Sequence, residues 1–160
     1  MLLLIHSILG TVALLTLIFS LRRLHPLETV LTFMMASCVL QNIETVLGAN
    51  IKLFDAPTVL TTYLTFQLDR IVLYPSCLFW LTFFLSYTRN SLVMKIALTA
   101  LGIFTMTAGQ YLENHLTILT MKKWSIVNSL LEWGSLLIVT VGFSLFISKL
   151  LMKVKVKSHT

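Results

Sequence analysis

Apolar residues run along this chain in long blocks, and the polar residues gather in short stretches between them. The blocks do not alternate with period two, as the strands of a membrane barrel would. They are roughly 20 residues long, the length a helix needs to cross a bilayer core about 30 Å thick. The pattern predicts an all-α protein, an integral membrane bundle of about five transmembrane helices.

The first block, Leu2–Leu21, ends at Arg22-Arg23. Nothing positive precedes it except the terminus, and Ile18-Phe19-Ser20-Leu21 carries no small-x-small cleavage pattern, so it reads as a retained span. His25-Pro26-Leu27-Glu28 then opens a second helix. Proline suits a first helical position and an acid suits the positive end of the helix dipole. Gly48-Ala49-Asn50 is expected to stop this helix, and Ile51–Pro57 to form a loop.

Thr58–Thr88 is helical in pattern, but at 1.5 Å per residue it covers about 46 Å. A division near Asp69-Arg70 leaves Ile71–Thr88, about 27 Å long, as the span and places 58–68 at the interface. Pro75 cannot donate to the carbonyl of Ile71, which predicts a bend or widened turn there. A fourth span over 92–112 and a fifth over 125–150 follow, with Lys122-Lys123-Trp124 between them and Trp124 as an interfacial anchor. Together the spans at 2–21, 27–47, 71–88, 92–112 and 125–150 make a single domain over 1–152, with a basic cytoplasmic tail at 153–160.

Composition agrees. The chain is 57% hydrophobic and 11% charged, with a mean hydropathy of +0.90. Soluble domains carry about 25% charged residues, so there is too little polar surface here to coat a water-exposed globule. The net charge of +6 would suggest nucleic acid in a soluble protein. Here the basic residues lie in connections between spans, which points to topology and not to nucleic acid. With the N-terminus outside, the cytoplasmic connections hold Arg22, Arg23, Arg89, Lys95, Lys149, Lys153, Lys155 and Lys157, against Lys52, Arg70, Lys122 and Lys123 outside. The bias predicts N-out, C-in. Cys38 and Cys77 lie inside apolar runs and read as small hydrophobes, with no disulfide inferred.

With that topology the polar residues of the spans fall in one outer layer: His6, Glu44, Asp69, Glu113 and Glu132, with His115 in an outer turn and Glu28 alone on the inner side. Ionisable groups in lipid are costly and need partners or a function. Gln41 and Glu44 share a helix face, with Thr45 four residues on from Gln41. Arg70 and Tyr74 share another face, while Asp69 points about 100° away. Arg70 therefore needs an acid from another helix, with Glu44 and Glu132 as candidates, or else snorkels to lipid phosphate. Gln41, Glu44, Asp69, Arg70, Tyr74 and Glu132 make up the candidate polar pocket or interhelical network. Thr105-x-x-x-Gly109 and Ser125-x-x-x-Ser129 have the spacing of close helix packing. No His-x-x-x-His or Cys-x-x-Cys spacing supports a metal at His6 or Glu132, Ser76 and Ser129 carry no nucleophile signature, and no cofactor is expected.

The stretch Asp69-Arg70 to Tyr74-Pro75, with Glu113, Lys123-Trp124-Ser125 and Ser129, resembles small, uncharacterised multi-spanning membrane proteins of spore-forming Gram-positive bacteria. The resemblance covers the C-terminal two-thirds of the chain. It implies a bacterial cell (cytoplasmic) membrane and about five helices, and no activity. The expectation is a non-enzymatic structural or accessory envelope protein, in contact with membrane lipids and with another membrane protein as a possible partner. The alternatives are a small transporter or permeation subunit lined by Glu44, Arg70 and Glu132, and an intramembrane enzyme acting on lipid. A buried, paired layer favours the first, a vestibule reaching past Glu132 the second, and a lateral slot beside Arg70 the third.

Overall fold

Five helical rods account for the architecture. In the computed structural model, which describes residues 1–55, 57–89 and 91–157, the order is α1 (Leu2–Ser20), α2 (Pro26–Thr45), β1 (Phe54–Asp55), α3 (Leu60–Leu68), α4 (Tyr74–Tyr87), α5 (Leu92–His115), β2 (Thr120–Met121) and α6 (Ile126–Lys157). Among the described residues five helices are long and apolar enough to cross a membrane, with α3 and α4 as two parts of one rod, Leu60–Tyr87. The interfacial helix expected at 58–68 is thus continuous with the third span. Residues 153–157, assigned to the tail from sequence, continue α6, and 158–160 lie outside the described residues.

The third rod is the most buried, and α4 packs against α1, α2, α5 and α6. Its core contacts include Leu78, Leu81, Leu136, Leu137, Ala36 and Leu40. The outward faces carry Ile8, Leu15, Ile18, Leu101, Phe104, Leu131 and Ile138, an apolar exterior suited to acyl chains. Cys38 and Cys77 are free thiols on that exterior.

Local chemistry sets the ends of the rods. Pro26 opens α2 behind a His25 cap, whose Nδ1 accepts from Leu27 N at 3.3 Å, and Glu28 sits in the first turn. Gly48 does not act as a left-handed cap. Instead α2 runs into a π turn over Val46–Asn50, and Lys52 carries the positive φ of 57° that turns the chain away. What Gly48 provides is space: a Cβ there would lie 2.7 Å from the Phe54 ring.

The third rod widens into a second π turn at Asp69–Leu73, directly before Pro75. Pro75 has no N–H, so the Ile71 carbonyl loses its ordinary helical donor. The hydroxyl of Ser37, reaching across from α2, donates to that carbonyl at 3.3 Å. The widened turn expected from Pro75 is present, and a neighbouring helix satisfies the oxygen it frees.

Two loops close one end of the bundle. β1 and β2 pair antiparallel, Phe54 opposite Met121 and Asp55 opposite Thr120, and Lys122 reaches Asp55 at 2.7 Å. Beneath this cap Phe54, Phe66, Ile118 and Leu119 form a small core of their own, with Trp124 against it. Trp124 packs edge-on to Phe54 and donates to Ser129 Oγ at 2.6 Å, so its ring belongs to the cap.

Candidate functional site

Arg70 is the centre of the site. It lies in the π turn of the third rod and is 1% exposed. Its Nε faces Glu44 Oε1 of α2 at 2.5 Å. Its Nη1 and Nη2 fork onto Glu113 of α5, at 3.3 Å to Oε1 and 3.0 Å to Oε2. The guanidinium carbon lies 4.7 Å from the Phe66 ring centre and 4.9 Å from that of Tyr74. The side chain therefore does not snorkel: its planar fork meets two carboxylates and is flanked by two aromatic rings.

Asp69, next in the chain, turns the other way. Its Oδ1 lies 2.7 Å from His6 Nδ1 on α1, and the side chain is fully buried. The two neighbours thus tie the third rod to three helices: Asp69 to α1, and Arg70 to α2 and α5. The extra residue of a π turn changes where successive side chains point, which is why such turns recur at functional and packing sites.

A chain of polar contacts joins α6. Tyr74 donates to Glu113 Oε1 at 2.6 Å, and its ring packs 4.9 Å from Trp133. Trp133 Nε1 donates to Gln110 Oε1 at 3.1 Å, and Gln110 Nε2 donates to Glu132 Oε2 at 2.6 Å. Glu132 is buried, but among the described residues it makes no ion pair with Arg70. Of the two acids expected to pair with Arg70, Glu44 does and Glu132 does not; Glu113 takes the second place.

Glu113, expected in the outer layer, was not expected as a partner of Arg70 because the sequence placed it at the end of its span. α5 continues to His115, which puts Glu113 inside the helix. Its spacing from Gln110 and Gly109 was the available signal: three and four residues apart, on one face. Gly109 lets that face approach α4, since a Cβ there would stand 2.8 Å from the Tyr74 hydroxyl.

Gln41 and Glu44 line a cavity of about 300 Å³ between the Arg70 layer and the cap, with Thr45, Tyr63, Phe66 and Arg70 among its other walls. Glu132 is not part of that lining. No group of three or more His, Cys, Asp or Glu among the described residues could hold a metal ion.

A second polar cluster lies toward the opposite end. Tyr87 donates to the buried Glu28, and its oxygen is 2.9 Å from Ser144 Oγ on α6. Trp80 Nε1 donates to Thr16 Oγ1 at 2.9 Å, and Lys95 Nζ to the Leu85 carbonyl at 2.7 Å. Glu28, read from sequence as a helix-dipole residue on the inner side, is buried and accepts from Tyr87, which in turn meets α6 at Ser144.

No protein-family model matches the chain, and neither a curated protein nor a solved structure matches it.

Proposed function

We propose that this chain is a non-enzymatic, multi-pass protein of a bacterial cytoplasmic membrane, with a structural or accessory role in the envelope. One observation carries the reading: the polar layer is buried and internally paired. Arg70 stands at ion-pair distance from Glu44 and Glu113, Tyr74 donates to Glu113, and Trp133, Gln110 and Glu132 continue the contacts, a layer that spans four rods. An aqueous path would need these groups to face water, and lipid chemistry would need a reacting group open to the bilayer. Instead the layer fixes the register of the helices, the best-attested use of buried polar groups, and leaves the outer surfaces free to meet lipid or a partner protein.

Flux measurements test the role. In proteoliposomes, proton, potassium and alkylammonium flux is expected to equal that of protein-free vesicles. Saturable flux that Glu44→Gln abolishes would move the assignment to a small transporter with Glu44 and Arg70 in its path. The cavity that these two residues share is the observation that favours this second reading.

The orientation belonging to the proposal is N-out, C-in, with the β1–β2 cap outside. The charge bias supports it, and removing the buried Arg70 from the outer count leaves eight basic residues against three. Fusions after residue 160 test it: a fluorescent cytoplasmic reporter is expected to be bright there and alkaline phosphatase inactive. The reverse pattern refutes the orientation.

A further inference from the structure

The capped cavity differs in chemistry from the sealed layer beneath it. It has about 300 Å³ of space, room for about ten non-hydrogen atoms at the volume a liquid water occupies. Its walls are of two kinds. Phe54, Tyr63 and Phe66 supply aromatic surface, and Gln41, Glu44 and Arg70 supply polar groups.

The charges decide what fits. Arg70 directs Nε, Nη1 and Nη2 at Glu44 and Glu113 within ion-pair distance, so its charge is already opposed by two carboxyl groups. An anion entering the cavity would have to displace one of those carboxylates and then sit beside it. Glu44 and Glu113 both pair with the single Arg70, so two carboxyl groups meet one guanidinium at the cavity floor. At the rim, Asp55 is matched by Lys122 at 2.7 Å and adds little net field. The cavity floor therefore favours positive charge.

The remaining contacts suit a soft cation better than a metal ion. Glu44 is 6% exposed and lines the cavity. Gln67 donates its amide to the Tyr63 hydroxyl at 3.0 Å, and its carbonyl oxygen accepts no hydrogen bond among the described residues. Aromatic walls beside a carboxylate attract a weakly hydrated ammonium through the ring quadrupole. A divalent ion would require several oxygen ligands converging on one point, and no group of three or more His, Cys, Asp or Glu among the described residues could hold one.

We propose that the cavity between the Arg70 layer and the β1–β2 cap binds an organic ammonium cation, with Glu44 as its counter-ion and Phe54, Tyr63 and Phe66 around its alkyl groups. The ammonium has two possible sources, a free amine or the headgroup of an aminophospholipid. The site does not depend on the structural role proposed above: binding is read in discs without any flux, and flux in vesicles without any binding assay.

The test uses the whole chain in nanodiscs of phosphatidylglycerol, titrated with tetramethylammonium and with butylammonium in a calorimeter, protein-free discs serving as the blank. Saturable binding of at least one cation is expected, weakened about tenfold or more by Glu44→Gln. Because Glu44→Gln also disturbs the Arg70 pair, Thr45→Leu is the second variant. Thr45 lines the cavity and is no partner of Arg70, so the added bulk is expected to abolish binding while the unfolding midpoint holds. Phosphatidylethanolamine added to the discs separates the sources. If the headgroup is the ligand, the heat of the free amine disappears; if a soluble amine is the ligand, it persists. The proposal is overturned if neither cation binds saturably, if both variants bind as the wild type does, or if acetate binds in their place.

Discussion

Arg70→Gln is expected to lower stability in detergent by about 3–5 kcal/mol, the cost of removing one member of a buried ion pair. The magnitude follows from what remains. Glu44 and Glu113, both buried, would face a neutral amide, with the charge that balanced them gone. Arginine stays protonated at any working pH, so in the native protein both acids depend on a fixed positive charge.

The site's asymmetry sharpens this expectation. Glu113→Gln removes one of two acids and leaves Arg70 opposed one-to-one by Glu44. The new amide still accepts from Tyr74, so this variant is expected to cost less than half as much as Arg70→Gln. Adding Glu44→Gln to Arg70→Gln is expected to recover part of the loss, because the stranded charge goes with it. Glu132→Gln in the same background is expected to recover less than Glu44→Gln does, because Glu132 shares the network with Arg70 but makes no ion pair with it among the described residues. Unfolding titrations of these variants settle the matter. A loss under about 1 kcal/mol for Arg70→Gln, the range of exposed pairs, defeats the reading of a buried centre.

Such a cost of breaking is not the net worth of the network. Well-packed apolar residues often replace a buried ion pair at little loss. What an apolar seam would not supply is register: the forked contact with Glu113 and the single contact with Glu44 fit one rotation of α2 and α5 about the third rod.

Much of this was legible along the chain, for identifiable reasons. Lipid imposes a strong rule, since every backbone group must pair within its own segment, and long apolar blocks can obey it only as helices. Pro75 announced the widened turn because a missing N–H is a property of the residue itself. Arg70 announced a carboxylate partner because its charge cannot be neutralised. Which carboxylate was harder. Glu132 and Glu113 both lay within the error of an estimated depth, and a span end misplaced by three residues moved Glu113 from a helix interior to its edge. Asp69 and His6 were assigned to one layer, but their meeting depends on α1 lying against the π turn, which no local pattern encodes. The β1–β2 pair was invisible for a related reason. Two residues per strand carry no periodicity, and the pairing joins segments more than sixty positions apart. The Tyr87–Glu28–Ser144 cluster joins three helices through residues that individually look like ordinary span-end polar groups.

Gly109→Ala is expected to destabilise the bundle by about 2–4 kcal/mol, although alanine is the better helix former by about 1 kcal/mol. The added Cβ would stand 2.8 Å from the Tyr74 hydroxyl oxygen, inside van der Waals contact. That oxygen sits at the end of a rigid ring. The ring is held against Trp133 at 4.9 Å, and its hydroxyl donates to Glu113 at 2.6 Å. To make room, either α5 retreats from α4 or the ring turns and releases Glu113. The first opens the packing and the second loses a charge-assisted hydrogen bond in the layer that holds Arg70. Both costs have one origin, so they vanish together when the hydroxyl is removed. In a Tyr74→Phe background the same Gly109→Ala change is therefore expected to be neutral, or to stabilise by up to about 1 kcal/mol through helix propensity alone. A four-member cycle of unfolding midpoints reads the coupling directly. If Gly109→Ala costs the same in both backgrounds, the close approach of α5 to Tyr74 is not what the glycine provides.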